Sequence, residues 1–247
     1  MKAVILCAGY ATRLYPITIN EPKALMKIAG QPLLSYTINN IKNIKEIDKI
    51  YVVTNSKFYD KFLKWKKDMG KVEIIDDGTF KNEERLGGVM DFNIAFKKCI
   101  NDDIFIILGD NLFNLDLEGF VNFFNRNRRC CVALHDVKNL EESKRFGVIE
   151  LDSNSKIIGF EEKPQEPKST LISTGAYIFP KEFTGKMQEY IASDKNKDGI
   201  GYMIQDFIKS DFEIDGFVFD ESWVDIGTIE DYKKINKEMI KWKFGKK

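Results

Sequence analysis

Residues 3–27, AVILCAGYATRLYPITINEPKALMK, constrain the fold of this chain most. An apolar run from Ala3 to Cys7 feeds a small-residue loop at Ala8-Gly9, Thr12-Arg13 follow, and Lys23 comes ten residues after that arginine. A short continuous apolar run suits a strand buried on both faces. Small residues behind it let backbone N–H groups approach an anion closely. Arginine offers phosphates a planar fork and lysine a point charge. The stretch predicts a phosphate-handling loop after the first strand of an α/β domain. Two familiar phosphate motifs are excluded. There is no Gly-x-x-x-x-Gly-Lys-Ser/Thr, and Ala11 and Leu14 stand where the later glycines of Gly-x-Gly-x-x-Gly would be.

The same alternation continues through the first half. Val4–Cys7, Ile50–Thr54, Val72–Ile75 and Ile104–Leu108 predict strands, and 33–44, 58–67 and 86–100 predict helices. Strand and helix in alternation imply right-handed crossovers and a mostly parallel buried sheet. In the second half, 130–135, 147–151, 156–161, 172–179 and 212–219 predict strands, with helices at 202–209 and 229–242. Asn154-Ser155 predicts a turn. No linker or repeat divides the chain. The expectation is one domain over 1–247, in two halves that meet near residue 111.

Composition excludes several classes. The chain has 247 residues and 38 basic against 38 acidic side chains, so no net charge draws it to nucleic acid or a membrane surface. No apolar run approaches the roughly 20 residues that span a bilayer, and no leader pattern opens the chain, so a cytoplasmic protein is expected. Cys7, Cys99, Cys130 and Cys131 lie in apolar segments without zinc-site spacing, which predicts reduced, buried thiols. The single histidine, His135, ends an apolar run and fits a satisfied strand-end residue better than a catalytic base. A hydrolytic triad is unsupported.

Two carboxylates stand out. Asp110 follows the buried run Ile104–Leu108, at the strand end where open α/β sheets bind ligands. It suits a metal ligand and equally a turn or helix-capping aspartate. Asp225 lies in Trp223-Val224-Asp225-Ile226-Gly227-Thr228, ahead of the last predicted helix. Phe160-Glu161-Glu162-Lys163-Pro164 ends a strand at a Glu-Lys pair, which alone reads as a surface ion pair.

Taken together the chain resembles the nucleotidyltransferases that make nucleotide-diphosphate sugars, of the type that includes glucose-1-phosphate thymidylyltransferases. Their first signature runs small-Gly-x-Gly-Thr-Arg-Leu, Pro-x-Thr and a later lysine. Gly9, Thr12, Arg13, Leu14, Pro16, Thr18 and Lys23 match it, with Ala8 and Ala11 at positions that often hold glycine. A positive φ at Ala11 would cost roughly 1 kcal/mol. Leu108-Gly109-Asp110-Asn111, Arg145-Phe146-Gly147-Val148-Ile149, Glu161-Glu162-Lys163-Pro164, Ser173-Thr174-Gly175-Ala176-Tyr177 and the Trp223–Thr228 block match later signatures in order.

The resemblance implies a three-layer α/β/α, Rossmann-like nucleotide-diphospho-sugar transferase fold around a mostly parallel mixed sheet, with a nucleotide-binding half to about residue 111 and a sugar-binding half over 112–247. It implies Mg²⁺ on Asp110 and Asp225, which suits a cation that takes one or two carboxylates and completes its shell with phosphates and water. Arg13, Lys23 and Lys163 become the catalytic candidates. Ala8, Gly9, Thr12, Gly88, Gly147, Glu162, Thr174 and Tyr177 become the other binding candidates, with Glu162 on sugar hydroxyls and Lys163 on the sugar phosphate. The implied substrates are an NTP, dTTP or UTP in the first instance, and a sugar 1-phosphate such as glucose 1-phosphate. Assembly into a homo-oligomer stays open.

One block departs. Thymidylyl-transferring members carry Gly-Leu-Ala-Gln where this chain has Glu84-Arg85-Leu86-Gly87-Gly88-Val89, so base reading is expected from backbone beside Gly87 and Gly88, helped by Arg85. The Arg-Gly-Glu-Leu block is only partly matched near Lys197–Ile200. A glycosyltransferase on a related fold lacks support because Asp-x-Asp is missing. A non-catalytic sugar-nucleotide sensor would be expected to lose some of the charged groups retained here. A cofactor-dependent oxidoreductase lacks its glycine fingerprint.

Overall fold

In the first half, β1 (Lys2–Leu6) is followed by the ribbon of β2 (Lys27–Ile28) and β3 (Gln31–Pro32), then α1 (Leu33–Ile41) and β4 (Lys49–Thr54). Next come α2 (Tyr59–Trp65), β5 (Val72–Asp76), α3 (Gly88–Phe96) and β6 (Ile104–Leu108). The computed structural model describes residues 1–67, 69–113 and 116–244. β6, β1, β4 and β5 are neighbours and parallel, with Leu6 level with Leu108 and Val53. All four therefore open their C-terminal ends at one edge.

The second half extends the same sheet. It contains β7 (Asn111–Phe113), α4 (Leu117–Asn127), β8 (Cys130–Asp136), α5 (Leu140–Ser143), β9 (Gly147–Leu151), β10 (Ile157–Glu162) and β11 (Leu171–Phe179). Then follow α6 (Thr184–Ala192), α7 (Ile200–Lys209), β12 (Ile214–Phe219), β13 (Trp223–Asp225) and α8 (Ile229–Phe244). β11 lies antiparallel beside β6 and carries the sheet on to β9 and β10, while β8 pairs antiparallel with β11 and parallel with β12. The sheet is thus mixed, parallel in the first half and joined to the second by an antiparallel strand.

Strand periodicity makes the layers. Ala3, Ile5, Val52, Phe105 and Ile107 face one side and pack with Leu34, Ile38, Phe62, Phe120 and Phe124 of α1, α2 and α4. Their alternates Val4, Val53, Ile104 and Ile106 face the other and pack with Val89, Phe92, Met187, Met203 and Phe207 of α3, α6 and α7. Side chains alternate across a strand, so continuous apolar strands need helices on both faces. The result is the three-layer α/β/α arrangement.

Some expectations change in detail. α3 begins at Gly88 rather than residue 86 because Gly87 has φ +88°, and it ends at Phe96. α1 stops at Ile41 rather than residue 44. α4 and α6 were not predicted. α4 nevertheless carries the apolar set Leu117, Phe120, Val121 and Phe124, and Asp116 accepts a bond from the Gly119 N–H at 2.9 Å as its N-cap. All four cysteines are buried and free. His135 packs against Phe219 and Trp223, with Nδ1 3.3 Å from the Phe219 carbonyl. Among the described residues no helix is long and apolar enough to cross a membrane.

Candidate active site

The sheet edge opens into a cavity of about 510 Å³ between the two halves. Every sequence-predicted site residue lines it: Ala8, Gly9, Thr12, Arg13, Lys23 and Gly88 from the first half, and Asp110, Gly147, Glu162, Lys163, Thr174, Tyr177 and Asp225 around them.

The phosphate loop leaves β1 where Asn55 Nδ2 donates to the Ala8 carbonyl at 2.8 Å. Ala11 adopts φ +48°, ψ +47°, so the loop does use a left-handed residue there and carries the strain of a methyl group. The Thr18 hydroxyl (2.8 Å) and the Leu14 N–H (2.9 Å) both donate to the Ala11 carbonyl, closing the turn. Arg13 is exposed on the rim and makes no ion pair among the described residues.

Asp110 follows β6, next to β1. Asp225 is carried to it by a three-residue ribbon: β13 pairs antiparallel with β7, Asp225 opposite Asn111. Lys23 Nζ lies between the two carboxylates, 3.1 Å from Asp110 Oδ2 and 3.5 Å from Asp225 Oδ1. Burial works against the Lys23 charge, but Asp110 and Asp225 together outweigh it and hold its pKa above the ordinary value. Asp225 is raised, first by burial and then by Asp110. Lys23 and Arg145 oppose that shift without cancelling it.

The two carboxylates converge on one point, with Lys23 and Arg145 as the cations beside them. Oxygen donors from two elements converging on a common point fit Mg²⁺, with substrate phosphates and water completing its shell. Sequence reasoning gave Arg145 no role of its own. Its guanidinium reaches Asp225 (3.8 Å) and Asp231 (3.4 Å) and lies over the Phe146 ring. The signal was its place one residue before the aromatic of a matched block.

Across the cavity, Glu162 ends β10 opposite Gly147 of β9. A Cβ on Gly147 would lie 2.5 Å from Phe160 Cζ and 3.0 Å from Glu162 Oε2, so only glycine fits there. Burial raises the Glu162 pKa, and Lys163 works against the rise. The Glu162 N–H donates to Gln205 Oε1 of α7 at 3.0 Å. Lys163 turns with φ +51°, and its exposed ammonium stands 3.7 Å from Glu162 Oε1. The Thr174 hydroxyl donates to the Ala133 carbonyl (2.8 Å), and Ser173 donates to the Tyr177 hydroxyl (3.1 Å), so both line the wall with their hydroxyls engaged. Two lining residues carry buried polar atoms without a partner among the described residues, Asp91 at Oδ1 and Trp223 at Nε1. Neither was singled out from sequence.

Comparison with known proteins shows the family. A protein-family model described as "Nucleotidyl transferase" matches residues 2–241. The chain is 31% identical over 240 residues to "Bifunctional protein GlmU" of Methanocaldococcus jannaschii, covering 97% of this chain and 54% of that protein. It is 30% identical over 255 residues to a "Putative mannose-1-phosphate guanyltransferase" of Sulfolobus acidocaldarius, covering 100% of this chain and 65% of that one. The chain thus spans between half and two thirds of these relatives. A crystal structure of a "Putative Glucose-1-Phosphate Thymidylyltransferase" from Bacillus anthracis, in complex with a sucrose, superposes with a TM-score of 0.80 at 25% identity, over 97% of this chain and 95% of that one. With a family model matching nearly its whole length, the chain belongs to the nucleotidyl transferase family.

Proposed function

We propose that the protein transfers a nucleotidyl group from an NTP to a sugar 1-phosphate, releasing pyrophosphate. The observation that supports it most is the gathering of Arg13, Lys23, Asp110 and Asp225 at one end of a single cavity and Glu162 with Lys163 at the other. A phosphate oxygen of the sugar phosphate attacks the α-phosphorus in line. The bond from that phosphorus to the β-phosphate bridging oxygen breaks, and its electrons leave with pyrophosphate. No covalent enzyme intermediate is needed, so positioning and charge stabilisation supply the catalysis.

Arg13, exposed and uncommitted, grips the triphosphate and the departing pyrophosphate. Lys23 neutralises charge near the α-phosphate from its place between the carboxylates. Lys163 holds the attacking phosphate, and Glu162 accepts hydrogen bonds from sugar hydroxyls. Mg²⁺ on Asp110 and Asp225 would polarise and align the phosphates.

A pyrophosphate-release screen of the common NTPs against glucose 1-phosphate and mannose 1-phosphate tests this reading. dTTP and UTP are both expected as substrates, with kcat/KM values within about a hundredfold, because one methyl group is worth only about 1–3 kcal/mol. Purine triphosphates are expected to be poor, and a clear preference for GTP or ATP would refute the pyrimidine assignment. In the same assay Lys163→Ala should raise KM for the sugar phosphate more than for the nucleotide, since a charge that binds a substrate uniformly acts on KM. Equal rises for both substrates would remove Lys163 from the acceptor side.

A further inference from the structure

Glu162 is gripped by one face of α7. Gly201 and Gln205 stand four residues apart in that helix, so they share a face. Gln205 Oε1 accepts the Glu162 N–H at 3.0 Å and fixes the backbone. Gly201 borders the side chain: a Cβ there would lie 2.1 Å from Glu162 Oε2 and 3.0 Å from its Cδ. A Cβ on Gly147 would lie 3.0 Å from the same oxygen, so the carboxylate rests in a slot between two glycines. Its other oxygen, Oε1, is 3.7 Å from the Lys163 ammonium. Gly147, Glu162, Lys163 and Gly201 all line the cavity. Gly201 is helical, so its backbone does not call for glycine, and glycine in a helix is unfavourable beside alanine. What calls for it is the carboxylate.

Neither element can retreat from an added methyl group. The start of α7 is tied to the start of α3: the Gly88 N–H donates to the Asp198 carbonyl (2.9 Å), the Val89 N–H to the Lys197 carbonyl (3.0 Å), and Arg85 pairs with the Asp198 carboxylate at 3.3 Å. The same bonds occupy the Gly88 and Val89 amides, contrary to the sequence-based expectation of backbone reading beside Gly87 and Gly88. Further along α7, Met203, Ile204 and Phe207 are buried in the core. β10 is held by its pairing with β9, and just beyond it the Lys163 N–H donates to the Phe146 carbonyl at 3.0 Å. The end of the Glu162 side chain is the part that can yield, and the room beside it is the cavity.

We propose that Gly201 is a positioning residue for the acceptor sugar: it seats the Glu162 carboxylate back against α7, at the depth where Glu162 meets sugar hydroxyls while Lys163 meets the phosphate of the same molecule. A sugar ring holds its hydroxyls and its 1-phosphate at fixed separations, so both partners must be set at once. This inference rests on the nucleotidyl-transfer reading of the cavity.

Gly201→Ala tests it on the whole chain, because alanine favours the helix and displaces only the carboxylate. Affinities for glucose 1-phosphate, mannose 1-phosphate, UTP and dTTP are read by isothermal titration, and as KM in the pyrophosphate-release assay. Gly201→Ala should weaken the sugar phosphate that the wild type takes by at least about tenfold. Its nucleotide affinity should stay within about twofold of the wild type. Glu162→Asp, whose shorter side chain stops short of the added methyl, should also weaken the sugar phosphate. Adding Gly201→Ala to Glu162→Asp should then cost at most about threefold more, because the contact is already gone. That double variant serves if the alanine variant folds poorly. A merely structural role would weaken nucleotide and sugar phosphate alike and would add in full to Glu162→Asp. Unchanged sugar-phosphate affinity in Gly201→Ala, equal weakening of both substrates, or a larger added loss in the double variant overturns the proposal. If pyrophosphate release occurs and Gly201→Ala keeps the wild-type KM for sugar phosphate, only this inference falls. If sugar-phosphate binding responds as expected but no nucleotide is turned over, the acceptor site stands and the proposed reaction falls. A wild type that neither binds nor uses a sugar phosphate overturns both.

Discussion

Lys23→Ala is expected to lower kcat by about 10²–10³ while leaving KM for either substrate nearly unchanged, because a charge matched to the transition state acts on kcat. Arg13→Ala is expected to show a similar loss, but the two variants should differ in stability. Arg13 is exposed and makes no ion pair among the described residues, so its removal uncovers no buried charge. Lys23 is nearly buried, with 12% of its side chain exposed, and it separates two carboxylates. Without it Asp110 and Asp225 face one another with Arg145 at 3.8 Å as the remaining cation. Removing the shared cation leaves two partly buried carboxylates to repel each other, a smaller form of the cost of breaking a buried pair on one side. The melting temperature of Lys23→Ala should therefore fall, and Mg²⁺ should restore more of it than it adds to the wild type or to Arg13→Ala. Melting curves with and without Mg²⁺, beside steady-state kinetics, give both readouts. A variant with wild-type kcat would reduce Lys23 to a structural counter-ion. An unchanged response to Mg²⁺ would show that lysine and metal do not share these carboxylates.

How far the site can be read from sequence depends on what builds each part. The phosphate loop and Asp110 were legible because each follows a continuous apolar strand, and parallel strands end at a common edge. Asp225 and its pairing with Asp110 came from the resemblance, while the structural element that brings them together was not legible. The ribbon that brings Asp225 to Asp110 pairs only three residues on each side, too short to leave a periodic pattern. The two-faced core was legible in the strands, whose alternation needs helices on both sides. α6 was obscured by its composition: of TGKMQEYIA, only Met187 and Tyr190 are buried. Asp91 was hidden for another reason. It lies one turn before Ala95, on the edge of the stripe made by Val89, Phe92 and Phe96, where a polar residue reads as solvated. Burial in the folded protein, and after it the charge of Asp77 from the end of another strand, raise its pKa. Likewise nothing local shows that the carbonyls of residues 197–198, over a hundred positions later, accept from the Gly88 and Val89 amides.

Asp110→Asn and Asp225→Asn are each expected to lower kcat by at least about 10², the loss that follows when a metal's several kcal/mol of charge stabilisation is withdrawn. Excess EDTA should abolish pyrophosphate release by the wild type. Asparagine keeps the size and the β13 backbone pairing, so the effect reports charge rather than shape. Because both carboxylates serve one centre, their losses should not add: the double variant should fall little below the worse single one. Asp231 supplies the control. It also approaches Arg145, but its carboxylate accepts the Thr228 N–H (2.9 Å) and its own N–H donates to the Thr228 hydroxyl (3.1 Å), capping the start of α8. Asp231→Asn should therefore cost stability of order 1 kcal/mol and much less of kcat. If Asp231→Asn were as damaging to kcat as Asp225→Asn, the important feature would be the anchoring of Arg145, and Asp225 would act through that arginine. If both Asp110→Asn and Asp225→Asn retained wild-type turnover, or if turnover survived EDTA, the paired-carboxylate centre would not be the metal site.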